Sequence, residues 1–277
     1  CMTGTVTEQN YDHLTLVGQT GPSVTNVLTL TAQKVKEVRP GVFVYDMGQN
    51  LAGVPRIVIK DGKLGKKIVL RYAEMTYPDN EKSGENRGMI MLENIRGALA
   101  QDTYILKNGE NVIAPHFTYH GYRYVEITGI DKALPLKSVQ ATVLSSIPQV
   151  TADYKSSNPE INRLWQNIVW SSRSNFLSIP TDCPQRNERM GWSGDLSVFA
   201  RTAGYVADLD QFLARHLQAL RDLQDKNGRF GDIAPIGNGF GGVLWGSAGI
   251  TVPWELYQQY GDKDVLAEHY NSMKKYV

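Results

Sequence analysis

Cysteine is scarce. Two in 277 residues, Cys1 and Cys183, cannot build a disulfide framework and do not fall at the spacing of a zinc site. The five histidines, His13, His116, His120, His216 and His269, are scattered without ligand spacing, so neither a metal nor another cofactor is expected. No apolar run approaches the roughly 20 residues that a bilayer span needs, which argues against membrane insertion. A formal net charge of +1 leaves no basic excess to neutralise phosphates, and a nucleic-acid partner is not expected. The start, Cys1-Met2-Thr3, carries no basic n-region and no signal-like apolar segment. A first residue other than Met suggests processing or a piece of a longer protein, so the compartment stays open between cytoplasmic and exported.

What is present describes a globular protein with ample core: 42% hydrophobic and 21% charged residues. The chain divides by periodicity. Up to about residue 150 it reads as β, in short β-branched or aromatic runs at 42–45, 56–59, 67–72, 102–106, 122–127 and 139–144. Asp61-Gly62, Asn108-Gly109 and Thr128-Gly129 punctuate them, a pattern that predicts an antiparallel β-sandwich. The polar stretch 80–94 reads as a long surface loop.

The period changes at Asn158-Pro159, where Asn suits an N-cap and Pro the first helical position. Ile161, Leu164, Trp165, Ile168 and Val169 then recur at helical spacing. Further helices are predicted at 196–206, 209–223, 251–260 and from 264 to the end. Helices paired across functional loops imply a hairpin array or barrel, and the last one reaches Val277 without a capping glycine. An unfinished helical domain would expose apolar faces, so a fragment of a longer protein is expected.

Between the first two helices lies the densest chemistry. Residues 180–195 hold three carboxylates (Asp182, Glu188, Asp195), two arginines (Arg186, Arg189), Trp192 and two glycines. Almost nothing in this segment could fill a core. Acids, guanidinium groups and an indole suit the gripping of a polyhydroxylated ring and the movement of a proton. Glycoside hydrolysis needs a proton donor and a second carboxylate, and one carboxyl should be raised by burial or by its neighbours to serve as the acid. The plainer reading is a salt-bridged loop with Asp195 as a helix N-cap. Cys183 has no histidine near it in sequence and is a poor nucleophile candidate. A second loop, 231–246, repeats the acid, aromatic and glycine theme, with Trp245 either a pocket wall or a packing residue. Residues 119–124 alternate with period two, which favours packing over ligand contact.

The string Asp182-Cys183-Pro184-Gln185-Arg186-Asn187-Glu188-Arg189 followed by Gly191-Trp192-Ser193-Gly194-Asp195 closely resembles the signature of bacterial α-L-rhamnosidases of glycoside hydrolase family 78. Tyr45-Asp46-Met47-Gly48-Gln49-Asn50-Leu51-Ala52-Gly53, Arg71-Tyr72-Ala73-Glu74 and residues 117–126 resemble that family's β-sandwich domain. Val252-Pro253-Trp254-Glu255-Leu256-Tyr257 resembles its helical domain. The resemblance implies residues 1–36 as the tail of a preceding β domain or a linker, 37–150 as a β-sandwich, and 151–277 as the first part of an (α/α)6 barrel. It further implies inverting hydrolysis of terminal α-L-rhamnosides by the full-length protein, acting on a rhamnose-containing oligosaccharide or glycoside. By motif position Glu188 would be the general acid. Asp182, Arg186, Trp192, Asp195 and Trp245 would bind the sugar, and the general base would come from a later part of the barrel. A homodimer is compatible with this reading. Asn187, Val54 and Ser247 depart from the usual Asp, Trp and Asp, and Ser247 keeps a second possibility alive, a non-catalytic carbohydrate-binding protein on the same fold.

Overall fold

The computed structural model describes residues 4, 7, 10–237 and 239–277. Cys1 lies outside them. Ten strands come first: β1 (Thr25–Thr31), β2 (Lys34–Arg39), β3 (Val42–Gly62), β4 (Lys67–Ala73), β5 (Met75–Thr76), β6 (Ile90–Met91), β7 (Gln101–Ile105), β8 (Gly109–Ile113), β9 (His120–Thr128) and β10 (Val139–Ser145). The helix α1 (Pro159–Asn175) follows, then a tight hairpin of β11 (Phe176–Leu177) and β12 (Ile179–Pro180). The chain closes with α2 (Ser193–Val206), α3 (Asp210–Asp222), α4 (Val243–Gly246), α5 (Ala248–Tyr260) and α6 (Lys263–Tyr276).

The antiparallel sandwich turns on β3, which at 21 residues is far longer than its neighbours. Its first part, residues 42–46, lies between β2 and β9; its last part pairs with β10 and β8. The crossing falls at 47–53, where the register against β9 shifts. Gly48 takes φ 79 there, a left-handed conformation that glycine adopts without strain. Gly53 has strands on both sides, and a Cβ on it would lie 2.0 Å from the Thr142 carbonyl oxygen. Side chains from both parts of β3 meet in one core, with Phe43, Tyr45 and Met47 facing Ile57 and Ile59 among residues of β4, β9 and β10. β1 and β2, which begin within the segment expected to be a tail or linker, pair with β10 and β3 of this same sheet.

The helical part has its own core. Leu196, Ala200 and Ala203 of α2 pack with Phe212, Leu213 and Leu217 of α3 and with Val252 and Leu256 of α5. Asn158 caps α1 as the sequence suggests, its Oδ1 accepting from the N–H of Glu160 at 2.8 Å and of Ile161 at 3.5 Å. That arrangement satisfies two donors a helix start would otherwise orphan. Helix α2 starts earlier than expected. Its N-cap is Trp192, and Asp195 sits inside the first turn, so Asp195 is not the cap residue. α1 lies against both domains, with Trp170 packed on the sandwich core and Val169 in the helical one.

Candidate active site

The loop between β12 and α2 is closed at its neck by its own backbone. Asp182 N–H donates to the Met190 carbonyl at 3.1 Å, and Met190 N–H donates back to Asp182 Oδ1 at 3.0 Å. This reciprocal pair turns the Asp182 side chain inward, leaving it 4% exposed. The segment between them projects toward the sandwich. There Gly121, at the start of β9, is so close that a Cβ would lie 2.9 Å from both Gln185 N and Pro184 C. Arg189 completes the clasp: its Nη1 donates to the Tyr119 carbonyl at 3.0 Å and its guanidinium lies 5.0 Å from the Tyr119 ring centre. Tyr119 and Gly121 thus pack against the loop, while Tyr122 is buried in the sandwich core, so the stretch 119–124 serves packing.

Glu188 is gripped from two directions. Arg186 reaches its Oε2 through Nε at 2.8 Å and Nη2 at 2.7 Å. Arg96, from the sandwich, reaches the same oxygen through Nη1 at 2.8 Å. Arg186 also stands 3.7 Å from Asp182. Arg96 lies in a polar loop with no sequence signal tying it to the motif, and only the fold brings it there.

A cleft of about 510 Å³ opens on the other side of Asp182. Asp182, Asp195 and Trp245 line it, with Asn175, Phe199 and Leu244. Gly194 makes the approach of Trp245 possible, since a Cβ there would meet the indole at 2.8 Å. The other sequence candidates fall beside the cleft. Arg186 lines a neighbouring pocket between α1 and the sandwich. Trp192 pairs its backbone with Ile233 and has its indole nitrogen buried. The Asp195 carboxyl is raised, by burial first and then by the charges of Asp182 and Glu188. Asp182 and Glu188 bring oxygens within 4.8 Å of each other. An inverting pair stands about 6.5–9.5 Å apart with room for a water, so these two are not that pair.

Asp182, Cys183 and Glu188 form a cluster of potential metal ligands. Its chemistry does not suit a cation. Burial, with Asp182 next, pushes the Cys183 thiol up to about 11, whereas a thiol ligates as thiolate. Two guanidinium groups already occupy Glu188.

The second loop is organised from within. Asp232 Oδ2 accepts from Phe240 N–H at 2.9 Å, and its Oδ1 from Gly241 and Gly242 N–H at 3.0 and 3.2 Å. Two backbone bonds join the loops: Ser193 N–H to the Asp232 carbonyl at 2.8 Å and Ala234 N–H to the Gly191 carbonyl at 3.1 Å. Ser247, at the α4–α5 junction, turns its hydroxyl back onto the Leu244 carbonyl at 3.2 Å. Beneath Gly191 lies His216, fully buried and held down to about 4, by burial and then by Arg215.

Residues 149–277 match the family model for the bacterial alpha-L-rhamnosidase 6 hairpin glycosidase domain, and residues 36–145 the bacterial alpha-L-rhamnosidase concanavalin-like domain. The chain belongs to the bacterial α-L-rhamnosidase family. A curated alpha-L-rhamnosidase of Streptomyces avermitilis is 45% identical over 258 residues, covering 91% of this chain and 24% of that protein. The crystal structure of the Streptomyces avermitilis enzyme complexed with L-rhamnose superposes with a TM-score of 0.86 at 42% identity, over 94% of this chain and 25% of that one. The α-L-rhamnosidase from Dictyoglumus thermophilum gives a TM-score of 0.86 at 40% identity, over 92% of this chain and 28% of that one. The chain therefore spans about a quarter of the length of these relatives. These matches establish the rhamnosidase architecture, a sandwich followed by helical hairpins.

Proposed function

We propose that the full-length protein hydrolyses terminal α-L-rhamnosides with inversion and that this chain supplies its proton donor and part of its sugar pocket. The observation that carries the reading is the convergence of Asp182, Asp195 and Trp245 on one cleft, with an oxygen of the arginine-held Glu188 within 4.8 Å of one of Asp182. In this reading Asp182 and Asp195 accept hydrogen bonds from rhamnose hydroxyls, and Trp245 covers the apolar face of the ring. Arg186 and Trp192 act from behind, Arg186 by holding Glu188 and Trp192 by fixing the start of α2 under Asp195.

Glu188 is the general acid. Both guanidinium groups take Oε2, so Oε1 is the oxygen assigned to carry the proton. The neutral acid keeps the clamp, because its carbonyl oxygen still accepts from the guanidinium donors. As the glycosidic C1–O bond breaks, its electron pair and the Oε1 proton end on the leaving oxygen while water attacks from the opposite face. The close approach of Asp182 to Glu188 does not suit Asp182 to activating that water, and the base is assigned, as the family resemblance implies, to a later part of the barrel.

The test uses the full-length protein with 4-nitrophenyl α-L-rhamnoside. Glu188→Gln is expected to lower turnover about 10²-fold or more, the scale of a lost general acid. The first sugar released by the parent should be the β-anomer by NMR. Undiminished turnover in the variant removes Glu188 from the role. Rhamnose binding by calorimetry without turnover of any rhamnoside would mark a binding protein instead.

A further inference from the structure

We infer that Arg96 of the sandwich is a positioning residue for proton donation by Glu188, so that the active site is completed across the domain boundary; this rests on the reading of Glu188 as the general acid. Three observations carry it. First, Arg96 Nη1 lies 2.8 Å from Glu188 Oε2, the same oxygen Arg186 holds at 2.7 Å. Two donors converging on one oxygen from different domains fix the carboxyl plane, and with it the direction of Oε1, more firmly than Arg186 alone could. Arg186 and Glu188 share one loop and could swing together; Arg96 ties that pair to a separate body.

Second, the backbone of Arg96 is unusual. It adopts φ 58 and ψ −124, and among the described residues only Arg96 and Ser178 are non-glycine positions with positive φ. Such a conformation costs on the order of 1–3 kcal/mol and persists where the surroundings impose it. Here Ile95, 2% exposed, anchors the preceding position in the core, and Ala98 N–H closes a turn onto the Ile95 carbonyl at 3.1 Å. The strained residue is the one whose side chain reaches across to the acid.

Third, Arg96 is not needed as filler. Its side chain is 57% exposed, so replacing it opens no cavity. An exposed ion pair contributes about 0–1 kcal/mol to folding. Stability alone is therefore a weak account of a strained arginine aimed at this carboxylate.

A positioned acid matters in proportion to how badly the leaving group needs a proton. The experiment therefore compares two substrates of the full-length protein, a rhamnosyl-glucose disaccharide with a sugar alkoxide leaving group and 2,4-dinitrophenyl α-L-rhamnoside with a phenolate that leaves unprotonated. Arg96→Gln is expected to lower kcat/KM for the disaccharide about tenfold or more, with a much smaller loss on the dinitrophenyl substrate, the signature of impaired general-acid catalysis. Arg96→Lys, which keeps the charge with one donor head, should recover part of the loss. In a Glu188→Gln background, Arg96→Gln should cost little more, since residues acting through one group are not additive. Equal losses on both substrates, no loss on the disaccharide, or full additivity with Glu188→Gln would overturn the inference. A Glu188→Gln variant that itself shows no leaving-group dependence would instead bring down the reading of Glu188.

Discussion

The two loops that meet at the cleft are held in opposite ways. Beyond its neck the loop at 182–190 is tied to itself by Arg186, which holds Glu188 and stands beside Asp182; its placement comes from the sandwich, through Gly121, Tyr119 and Arg96. The loop at 231–246 wraps its backbone around Asp232 and meets the start of α2 through the backbone bonds of Asp232 and Ala234. The first loop carries the candidate acid, and the second carries Trp245. A proton donor needs a direction, which two separate bodies can fix. An apolar wall needs only a surface, which a self-organised loop can present.

Breaking the second loop should give the larger loss of stability. Asp232→Ala removes an acceptor of three backbone N–H groups, and it leaves those donors to find water. Hydrogen bonds to a charged group contribute about 1.5–3 kcal/mol each and are not additive, so a net loss of about 3 kcal/mol in urea unfolding of this chain is expected. In the full-length protein KM should rise more than kcat falls, because the wall loosens while the acid stays clamped. A fall in kcat with KM unchanged would show that the loops are not separable in this way.

Breaking the first loop should do the reverse. Gly121→Ala puts a Cβ 2.9 Å from backbone atoms of Pro184 and Gln185, which cannot move aside as a side-chain end can. Overpacking of this kind costs about 1–3 kcal/mol, read as a lower melting temperature. The loop should lift from the sandwich, drawing Glu188 away from Arg96, and kcat should fall with little change in KM. Unaltered kcat would mean that contact with the sandwich does not set the acid's position.

This division also explains what could be read from the sequence. Strands β4, β9 and β10 announce themselves by alternation, and helix α1 by its Asn-Pro start, because each signal is local. β2 and β8 escaped notice: Lys34-Val35-Lys36-Glu37-Val38-Arg39 is an edge rich in charge, and Gly109-Glu110-Asn111 begins β8 with turn residues. β3 looked like two strands because Gly48, Gly53 and Pro55 punctuate it, yet they mark its passage between layers. The cluster at 182–195 was legible from composition, whereas composition left Trp245 open between a pocket wall and a packing residue, and only the family resemblance put it in the same pocket. Arg96 was not legible. Its partner lies 92 positions away, and no local pattern distinguishes an arginine in a polar loop until the fold closes on it.

The smallest expected effect separates two acids of the same segment. Glu188 is held in place by two guanidinium groups; the Asp195 carboxyl is raised, chiefly by burial and then by Asp182 and Glu188. A carboxyl whose folded pKa exceeds its unfolded value weighs against the fold wherever it is ionised. The cost is complete above the folded pKa and vanishes below the unfolded value of about 3.9. Asp195→Asn should therefore raise the melting temperature of this chain slightly at pH 7, and the gain should shrink toward zero as the pH falls to about 4. In the full-length protein the same variant should bind rhamnose more weakly by calorimetry, since an accepting carboxylate is lost from the cleft. A melting temperature that drops at pH 7 would mean that Asp195 supports α2 by its charge at the helix start, and that its place in the cleft is not maintained at the expense of stability.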